Sequence, residues 1–374
     1  MKYEEMVPAH IRALGPYVPG KPLRQAEEET GIKCTKMASN ENPFGPSPRA
    51  LEAMQHALRE VHLYPENGAP ELATKIAENE GVTPDHILVT GGSTPCLDMI
   101  GRTLLVPGQN AVTSERTFIV YPIVTRAAGA TLKFVPTKND GFDLDGILTA
   151  IDENTRVVFL ANPNNPTGTM FTAQELDRYL ERVPDHVVTV IDEAYYDFAK
   201  HLAAQRGVEY SHSVRYVKEG RKVLVLRTFS KTHGLAGVRV GFGIGDPELM
   251  SYLSRVRTAF QTTSIGEAAA IAALHDDEHL RRTVENNASG AAYLEKGMRD
   301  LGLHPVPTWA NFVFFEVEDD APGIAKALEH SGVIVRPLGG WGIPKGLRVT
   351  IGNPQQNENF LHALQKVLSK EPVR

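Results

Sequence analysis

The chain has 374 residues, 42% of them hydrophobic, and its 39 lysines and arginines against 45 aspartates and glutamates give a formal net charge of −6. At about 150 residues per domain this length predicts two domains, and the acidic balance argues against a general nucleic-acid-binding protein. The two cysteines, Cys34 and Cys96, favour a reducing compartment, and no secretory leader or run of about 18 apolar residues is visible, so we expect a cytoplasmic protein without a membrane partner.

Hydrophobic periodicity then predicts helices and strands in alternation. Apolar residues between Leu51 and Val61 recur at spacings of three and four, which is typical of an amphipathic helix, and a second helix near 70–80 ends at Gly81. Short apolar runs rich in β-branched residues are predicted strands at 86–90, 110–114, 131–136, 156–162, 186–192, 222–229 and 238–244. Helical stretches separate most of these runs, so the pattern indicates an α/β fold with βαβ units around a largely parallel, buried sheet.

The pattern changes near residue 250. The chain becomes more helical there and then gives strands at 310–317, 332–337 and 347–352, before a final amphipathic helix. These elements indicate a small α+β unit. The first 40 residues are proline-rich and irregular, and we expect them to pack onto the rest of the chain.

The carboxyl ends of the predicted strands are where an open α/β sheet binds its ligands. The strand at 86–90 is followed by GGSTP and a helix, so two glycines permit a tight turn while Ser93 and Thr94 offer hydroxyl and N–H groups. A helix that begins there is a candidate phosphate site. An ordinary helix cap explains the same residues, so this turn alone does not decide between the two readings.

Two later strands end in polar side chains. The strand at 156–162 is followed by PNNPTG, in which Asn165 presents an amide that can bond a polar ring substituent, although a plain Asn-Pro turn has the same sequence. The strand at 186–192 ends in Asp192, a carboxylate that is costly to bury without a cationic partner. The alternative is that Asp192 caps the helix that follows.

Lys231 follows the strand at 222–229 and precedes another apolar strand, with Arg239 eight residues further on. A lysine in such a place is desolvated, which lowers its pKa and frees its amine for nucleophilic attack. A phosphate cradle, a ring-facing amide, a buried acid and a nucleophilic lysine are together the set that pyridoxal phosphate requires.

Three motifs, ANPNNPTG, VIDEAYYDF and RTFSKTHGLAGVRVGFGIG, resemble those of the fold-type-I pyridoxal-phosphate aminotransferases. Within that family KMASNENPFGPSP, PYVPGK, LYPE, GVIVRP and LRVTIGNPQQNENF are most similar to the histidinol-phosphate aminotransferase group. The resemblance implies a large cofactor domain over 45–255 and a small domain formed by 1–44 and 256–374. It also implies a homodimer that transfers an amino group from histidinol phosphate to 2-oxoglutarate by a ping-pong mechanism.

The resemblance assigns roles to individual residues. Lys231 is expected to bind the cofactor and move the proton, Asp192 to bond the pyridine nitrogen, and Tyr195 with Asn165 to bond the ring hydroxyl oxygen. The other expected cofactor ligands are Ser93, Thr94, Phe118, Thr228, Ser230, Arg239 and, from the partner subunit, Tyr64. The expected substrate ligands are Tyr17, Asn42, Arg336 and Arg348, the last of which takes a carboxylate in the bidentate way that guanidinium allows.

Some positions depart from the narrower group and leave the substrate open. Pro95 stands where an acid is common, Phe118 where tyrosine is common, and the segment 198–220 is long. An aminotransferase for phenylalanine or tyrosine is therefore the alternative, followed by a related pyridoxal-phosphate decarboxylase and a binding protein without activity.

Other classes of protein fit the sequence less well. A dinucleotide dehydrogenase needs G-x-G-x-x-G after an early strand, but Asp246 stands where the last glycine of GFGIGD should be. A serine hydrolase needs G-x-S-x-G, whereas Ser93 is followed by Thr94 and a proline. His275 and His279 have the spacing of zinc ligands, yet HDDEHLRR is typical of a solvated helix face, so we expect no metal.

Overall fold

Helices and strands alternate along the structure, a computed structural model that describes residues 2–16, 20–318 and 320–369. The strands are β1 (Thr35–Lys36), β2 (Ile87–Thr90), β3 (Asn110–Ser114), β4 (Thr131–Val135), β5 (Thr155–Ala161), β6 (Val188–Asp192), β7 (Val223–Thr228), β8 (Gly241–Ile244), β9 (Phe312–Glu316), β10 (Val333–Ile334), β11 (Arg336–Pro337) and β12 (Gly346–Thr350). The α-helices are α1 (Tyr3–Met6), α2 (Ala9–Arg12), α3 (Leu23–Thr30), α4 (Pro48–Ala57), α5 (Pro70–Glu80), α6 (Ser93–Leu104), α7 (Val120–Ala127), α8 (Leu144–Ala150), α9 (Ala173–Leu180), α10 (Tyr196–Arg206), α11 (Val214–Lys218), α12 (Pro247–Arg255), α13 (Ser264–Leu274), α14 (Asp277–Asp300), α15 (Ala321–His330) and α16 (Pro354–Leu368).

The larger part of the molecule is built on a seven-stranded sheet in the order β2-β8-β7-β6-β5-β3-β4. Only β8 runs antiparallel to its neighbours, and all the other pairs are parallel. Side chains alternate between two apolar clusters on opposite faces of the sheet, as Phe159 and Leu160 do in β5. Both faces are therefore covered by helices, which is why these strands have continuous apolar sequences. The predicted α/β fold is confirmed.

A smaller unit joins the two ends of the chain. Strand β1 pairs in parallel with β10, while β11, β12 and β9 form an antiparallel sheet. Its core brings Met37 together with Leu294 of α14, Val313 of β9 and Phe360 of α16. The N-terminal segment is thus held by the C-terminal part of the chain.

Helix α13, which follows residue 255, packs with the large unit. Ala269 and Ala273 of α13 are buried in the same apolar cluster as Ala50 and Leu72, which belong to the large unit. Helix α14 contributes Leu294 to the small core, while its Leu280 and Val284 pack with Tyr195 and Phe198 of the large unit. The packing therefore joins α13 to the large unit, and α14 contacts both units.

The parallel strands bring their carboxyl ends to one edge of the sheet. Ala161 at the end of β5 is in register with Asp192 at the end of β6, which is in turn opposite Leu226 near the end of β7. The segments that follow these three strands are consequently neighbours. As for membranes, none of the helices in the described ranges has the length and hydrophobicity of a transmembrane span.

The turn after β7 packs its backbone directly against the backbone of an N-terminal segment. Gly234 has φ of 69°, and a Cβ at this residue would overlap the Gly45 carbonyl oxygen. Because only glycine adopts this conformation readily and leaves this space, the close approach depends on Gly234. The contact holds the segment that carries Lys231 against the backbone at Gly45.

We expect Gly234→Ala to destabilise the protein by more than about 1 kcal/mol, because the new methyl group both strains the backbone of residue 234 and displaces the backbone at Gly45. Gly237→Ala is the matched control, since no atom lies within 4 Å of its added Cβ and its φ is not positive. Thermal unfolding of the two cofactor-free variants measures the difference. Equal midpoints for Gly234→Ala and Gly237→Ala would contradict this account.

Candidate active site

A cavity of about 320 Å³ opens at the carboxyl edge of the large sheet and reaches the small unit. This volume lies within the range of small-molecule sites, about 300–1,000 Å³. The predicted site residues that line it are Ser93, Thr94, Phe118, Asn165, Asp192, Tyr195, Thr228, Ser230, Lys231, Arg239, Arg336 and Arg348. Residues from both units, far apart in sequence, therefore meet at one place.

One end of the cavity is built to hold an anion. Helix α6 begins at Ser93, directly after Gly92. Because glycine has no side chain to cap the helix, the first N–H groups of the helix remain available. A Cβ at Gly92 would lie 2.5 Å from Nη2 of Arg239, and one at Gly241 would lie 2.7 Å from the Ser93 nitrogen. The Arg239 guanidinium also donates to Ser230 Oγ at 3.3 Å. Gly92 thus lets the guanidinium approach the helix N-terminus, and Gly241 lets β8 pass close to the first residue of the helix. Together these donors suit a phosphate group.

Asp192 lies at the buried end of β6, with 5% of its surface exposed. Its Oδ1 accepts a hydrogen bond from the Ala194 N–H at 3.1 Å, and its Oδ2 accepts one from the Tyr121 hydroxyl at 3.1 Å. Burial raises the pKa of this carboxyl to about 6, although both hydrogen bonds and the charge of Lys231 act in the opposite direction. A cationic N–H placed in the cavity would compensate the cost of burying this charge.

Lys231 lies in the turn after β7. Its Nζ donates to the Ser39 carbonyl oxygen at 3.2 Å and is 5.8 Å from the centre of the Tyr195 ring. Desolvation, together with the nearby charge of Arg348, lowers the pKa of this amine to about 8. A substantial fraction of Lys231 is therefore neutral near physiological pH and able to act as a nucleophile or a base.

Two polar groups lie between these ends. The Tyr195 hydroxyl accepts a hydrogen bond from Asn40 Nδ2 at 2.9 Å, and Asn165 Oδ1 accepts one from the Arg348 guanidinium. The ring of Phe118 meets that of Tyr121 edge to face, with centroids 5.6 Å apart. Polar and aromatic groups thus surround the middle of the cavity.

Two arginines form the other end of the cavity. Arg336 of β11 is directly opposite Arg348 of β12 in the antiparallel register. Arg348 is buried and donates to the Ala38 carbonyl oxygen at 2.8 Å, while the Arg336 guanidinium lies 4.7 Å from the centre of the Trp341 ring. Like charges directly opposite each other are unfavourable in a sheet. This pair is therefore suited to a ligand that carries more than one negative charge.

Three predicted residues do not reach the cavity of this chain or cannot be located. Asn42 is buried elsewhere, because its Nδ2 donates to the Thr232 carbonyl oxygen at 2.7 Å and to Thr283 Oγ1 at 3.2 Å, so the geometry does not support it as a substrate ligand. Tyr64 is 83% exposed and stacks on Phe260 instead. Tyr17 lies outside the residues that the structure describes.

Thr228 lines the cavity, but its hydroxyl is engaged with the protein. It donates to the Val240 carbonyl oxygen at 3.3 Å and accepts from the Ser230 N–H at 3.1 Å. These bonds fix the turn that carries Ser230 and Lys231. We therefore interpret Thr228 first as support for its neighbours.

The sequence did not single out three residues that line the cavity: Asn40, Tyr121 and Trp341. Tyr121 follows Phe118 by about one helical turn, so a helix predicted at this point would have brought the two rings together. Trp341 lies in the glycine-rich segment LGGWG, whose hydropathy gives no signal of a site. Asn40 has φ of 57°, a conformation that side chains other than glycine and asparagine rarely adopt.

Comparison with known proteins agrees with this geometry. The chain matches the family "Aminotransferase class I and II" over residues 32–364, and it belongs to that family. It is 45% identical over 363 residues to histidinol-phosphate aminotransferase 2 of Pseudomonas fluorescens, covering 96% of each chain. It is also 45% identical over 364 residues to the protein of the same name in Pseudomonas aeruginosa, covering 96% of this chain and 97% of that one.

A solved structure shows the same architecture. It is the histidinol-phosphate aminotransferase of Sinorhizobium meliloti in complex with pyridoxal-5'-phosphate, with a TM-score of 0.87 and 28% identity. The match covers 97% of this chain and 98% of that one. The resemblance read from the sequence motifs is therefore confirmed at the level of family and fold.

The raised pKa of Asp192 makes a prediction about stability. Between its ordinary value of 3.8 and about 6, the folded protein holds a proton that the unfolded chain has lost, so the cofactor-free protein loses stability as the pH rises through this range. We expect Asp192→Asn to raise the melting temperature of the cofactor-free protein by about 2–4 °C at pH 7.5 and by much less near pH 4.

Asp85→Asn is the control, because Asp85 is exposed and lies just before β2. Thermal unfolding of both variants over this pH range measures the effect. A melting temperature for Asp192→Asn at or below that of the unsubstituted protein at pH 7.5 would show that the carboxylate is not a destabilising group.

Proposed function

We propose that this protein is a pyridoxal-phosphate-dependent transaminase that transfers an amino group from histidinol phosphate to 2-oxoglutarate by a ping-pong mechanism. The observation that carries the proposal is the arrangement of Asp192, Lys231 and Arg239 around one cavity. The names of relatives that are 45% identical over nearly the whole chain support the same donor.

The residues present fit pyridoxal phosphate at two points. The α6 N-terminus with Ser230 and Arg239 offers N–H, hydroxyl and guanidinium donors for the phosphate. The buried Asp192 carboxylate suits the protonated pyridine nitrogen. Bound pyridoxal phosphate supplies an electron sink for the charge that develops on the substrate α-carbon.

The chain itself supplies proton transfer and orientation. Lys231 is the group that would attach the cofactor and then move a proton from the substrate α-carbon to the cofactor carbon in a 1,3-shift, which its lowered pKa favours. The Tyr195 hydroxyl and the Asn165 amide would bond the hydroxyl oxygen of the ring, and Phe118 would cover the ring face; the place of all three in the cavity lining supports these roles. The Asn40 amide orients the Tyr195 hydroxyl.

The pair of arginines supports a substrate with a doubly charged group. Histidinol phosphate lacks a carboxylate and presents a phosphate, whereas 2-oxoglutarate carries two carboxylates. Arg348 with Arg336 can meet either kind of anion by charge-assisted bonds. Phenylalanine or tyrosine carries a single carboxylate, so only one of the two arginines would bind a substrate anion. These amino acids are the alternative donors that the experiment must test.

Absorption spectroscopy and single-turnover kinetics test the function. We expect the protein purified with pyridoxal phosphate to show a visible absorption band that Lys231→Ala abolishes and that the control Lys222→Ala retains, because Lys222 is exposed outside the cavity. Half-reactions with histidinol phosphate, phenylalanine, tyrosine and glutamate then rank the donors. A preference for histidinol phosphate above about a hundredfold in kcat/KM is expected, and the same margin for phenylalanine would overturn the donor assignment.

Arg336→Gln should reduce kcat/KM for histidinol phosphate by roughly tenfold to a hundredfold, because one of two charged bonds to the phosphate is lost. The same variant should change kcat/KM for phenylalanine by less than about threefold. Arg299→Gln, an exposed position on α14, is the control. Equal losses for the two donors would contradict a role of Arg336 in phosphate recognition.

A homodimer in which Tyr64 reaches the cofactor phosphate of the partner subunit is the second part of the proposal. Tyr64 lies outside the cavity of its own chain, is 83% exposed, and has exposed apolar neighbours in Val61, Leu63 and Phe260. Such a patch is typical of a surface that another protein covers.

A reducing, cytoplasmic location is a further part of the proposal. The free thiols Cys34 and Cys96 support it.

Mixed dimers of Lys231→Ala and Tyr64→Ala subunits test the exchange of Tyr64. If Tyr64 serves the partner subunit, one site of each mixed dimer has both residues, so mixing two impaired variants should restore activity. Each mixed dimer is expected to have about half the activity of the unsubstituted dimer, because one of its two sites is intact. No gain on mixing, with mixed dimers shown to form, would place Tyr64 outside the partner's site.

A further inference from the structure

Tyr121 is the one side chain that donates to Asp192 Oδ2 among the described residues. Its ring is completely buried and stacks on Phe159, with centroids 4.9 Å apart and planes within 6° of parallel. On its other side it meets Phe118 edge to face at 5.6 Å. Three contacts in different directions therefore fix the ring, so the hydroxyl has a fixed place beside the carboxylate.

The second carboxylate oxygen is held by the backbone, since Asp192 Oδ1 accepts from the Ala194 N–H. One bond to each oxygen prevents the carboxylate from rotating. The remaining lone pairs are available to a donor in the cavity that Asp192 and Tyr121 both line. Without the Tyr121 hydroxyl, only the backbone bond would orient the group among the contacts that the structure describes.

We propose that Tyr121 is a positioning residue that fixes the Asp192 carboxylate and keeps it ionised for the cofactor ring nitrogen. The inference rests on the proposed function for the ring nitrogen, but the bond between the two side chains is a property of the chain alone. Tyr121 belongs to α7, so it also links the residue expected to stack on the ring, Phe118, to the residue that binds its nitrogen.

The electrostatic surroundings agree with this assignment. Burial and the charge of Asp192 hold the pKa of Tyr121 well above its ordinary value, so its hydroxyl stays a donor at any pH of interest. The other titratable groups near the pair are the Cys96 thiol of α6, Tyr195 after β6 and Lys231 after β7. Of these, burial raises the pKa of Cys96 to about 12, and the positive charge of Lys231 stabilises the carboxylate.

Tyr121→Phe removes the hydroxyl and leaves the stacked ring in place. The matched control is Tyr179→Phe, another buried tyrosine whose hydroxyl lies 3.2 Å from Thr189 Oγ1 and away from this cavity. The first measurement uses cofactor-free protein labelled with ¹³C at the aspartate carboxyl carbons, with Asp192→Asn to assign the signal. We expect the pKa of Asp192 to rise by about one in Tyr121→Phe, because a bond to the charged form is lost, and to stay unchanged in Tyr179→Phe.

The second measurement uses the protein loaded with pyridoxal phosphate. Tyr121→Phe should lower kcat about tenfold and move the acid limb of its pH profile upward by about one pH unit, with KM for the donor within about threefold. An unchanged titration of Asp192 would overturn the proposal, and so would a shifted titration with unchanged kcat and pH profile. If the unsubstituted protein lacked the visible band of bound cofactor, the proposed function would fail, while the ¹³C titration would still decide whether Tyr121 controls Asp192.

Discussion

A carboxylate buried at the end of β6 is the constraint on which the rest of the site depends. Asp192 has 5% of its surface exposed. Its two hydrogen bonds and, separately, the nearby charge of Lys231 offset only part of the cost of its burial. Burying such an anion costs free energy that a cationic partner offsets. The fold therefore holds beside the cavity a carboxylate whose charge a protonated ring nitrogen would neutralise. Burial at the same cavity also desolvates Lys231.

The two ends of the cavity separate two kinds of anion recognition. At one end the α6 N-terminus and Arg239 belong to the large unit and suit a phosphate that stays bound through the reaction. At the other end Arg336 and Arg348 belong to the small unit and suit anions that must enter and leave. A protein with net charge −6 thus concentrates positive charge around one cavity, where a ligand that reached both ends would bridge the two units.

The sequence predicted the large sheet and the residues that share its carboxyl edge well, because both follow local patterns. Parallel strands buried on two faces have continuous apolar sequences, and polar residues directly after them must lie at the same edge, as Asp192 and Lys231 do.

Tyr121 and Trp341 were missed because a ring that packs in a core and a ring that borders a site have the same local pattern. Asn42 was assigned to the substrate, yet two residues away Asn40 lines the cavity, since a positive φ at Asn40 turns the chain there. The sequence could not assign α13 to a unit, because its alanine-rich face does not reveal which core it joins.

The most direct test of the central constraint is the protonation state of the ring nitrogen of bound pyridoxal phosphate. Reconstitution with cofactor labelled with ¹⁵N at this atom allows its chemical shift to be measured in the unsubstituted protein and in Asp192→Asn. A protonated nitrogen at pH 7.5 in the unsubstituted protein, and an unprotonated one in Asp192→Asn, is the result that this account predicts. An unprotonated nitrogen in the unsubstituted protein would contradict it, because the buried carboxylate would then have no cationic partner in the ring.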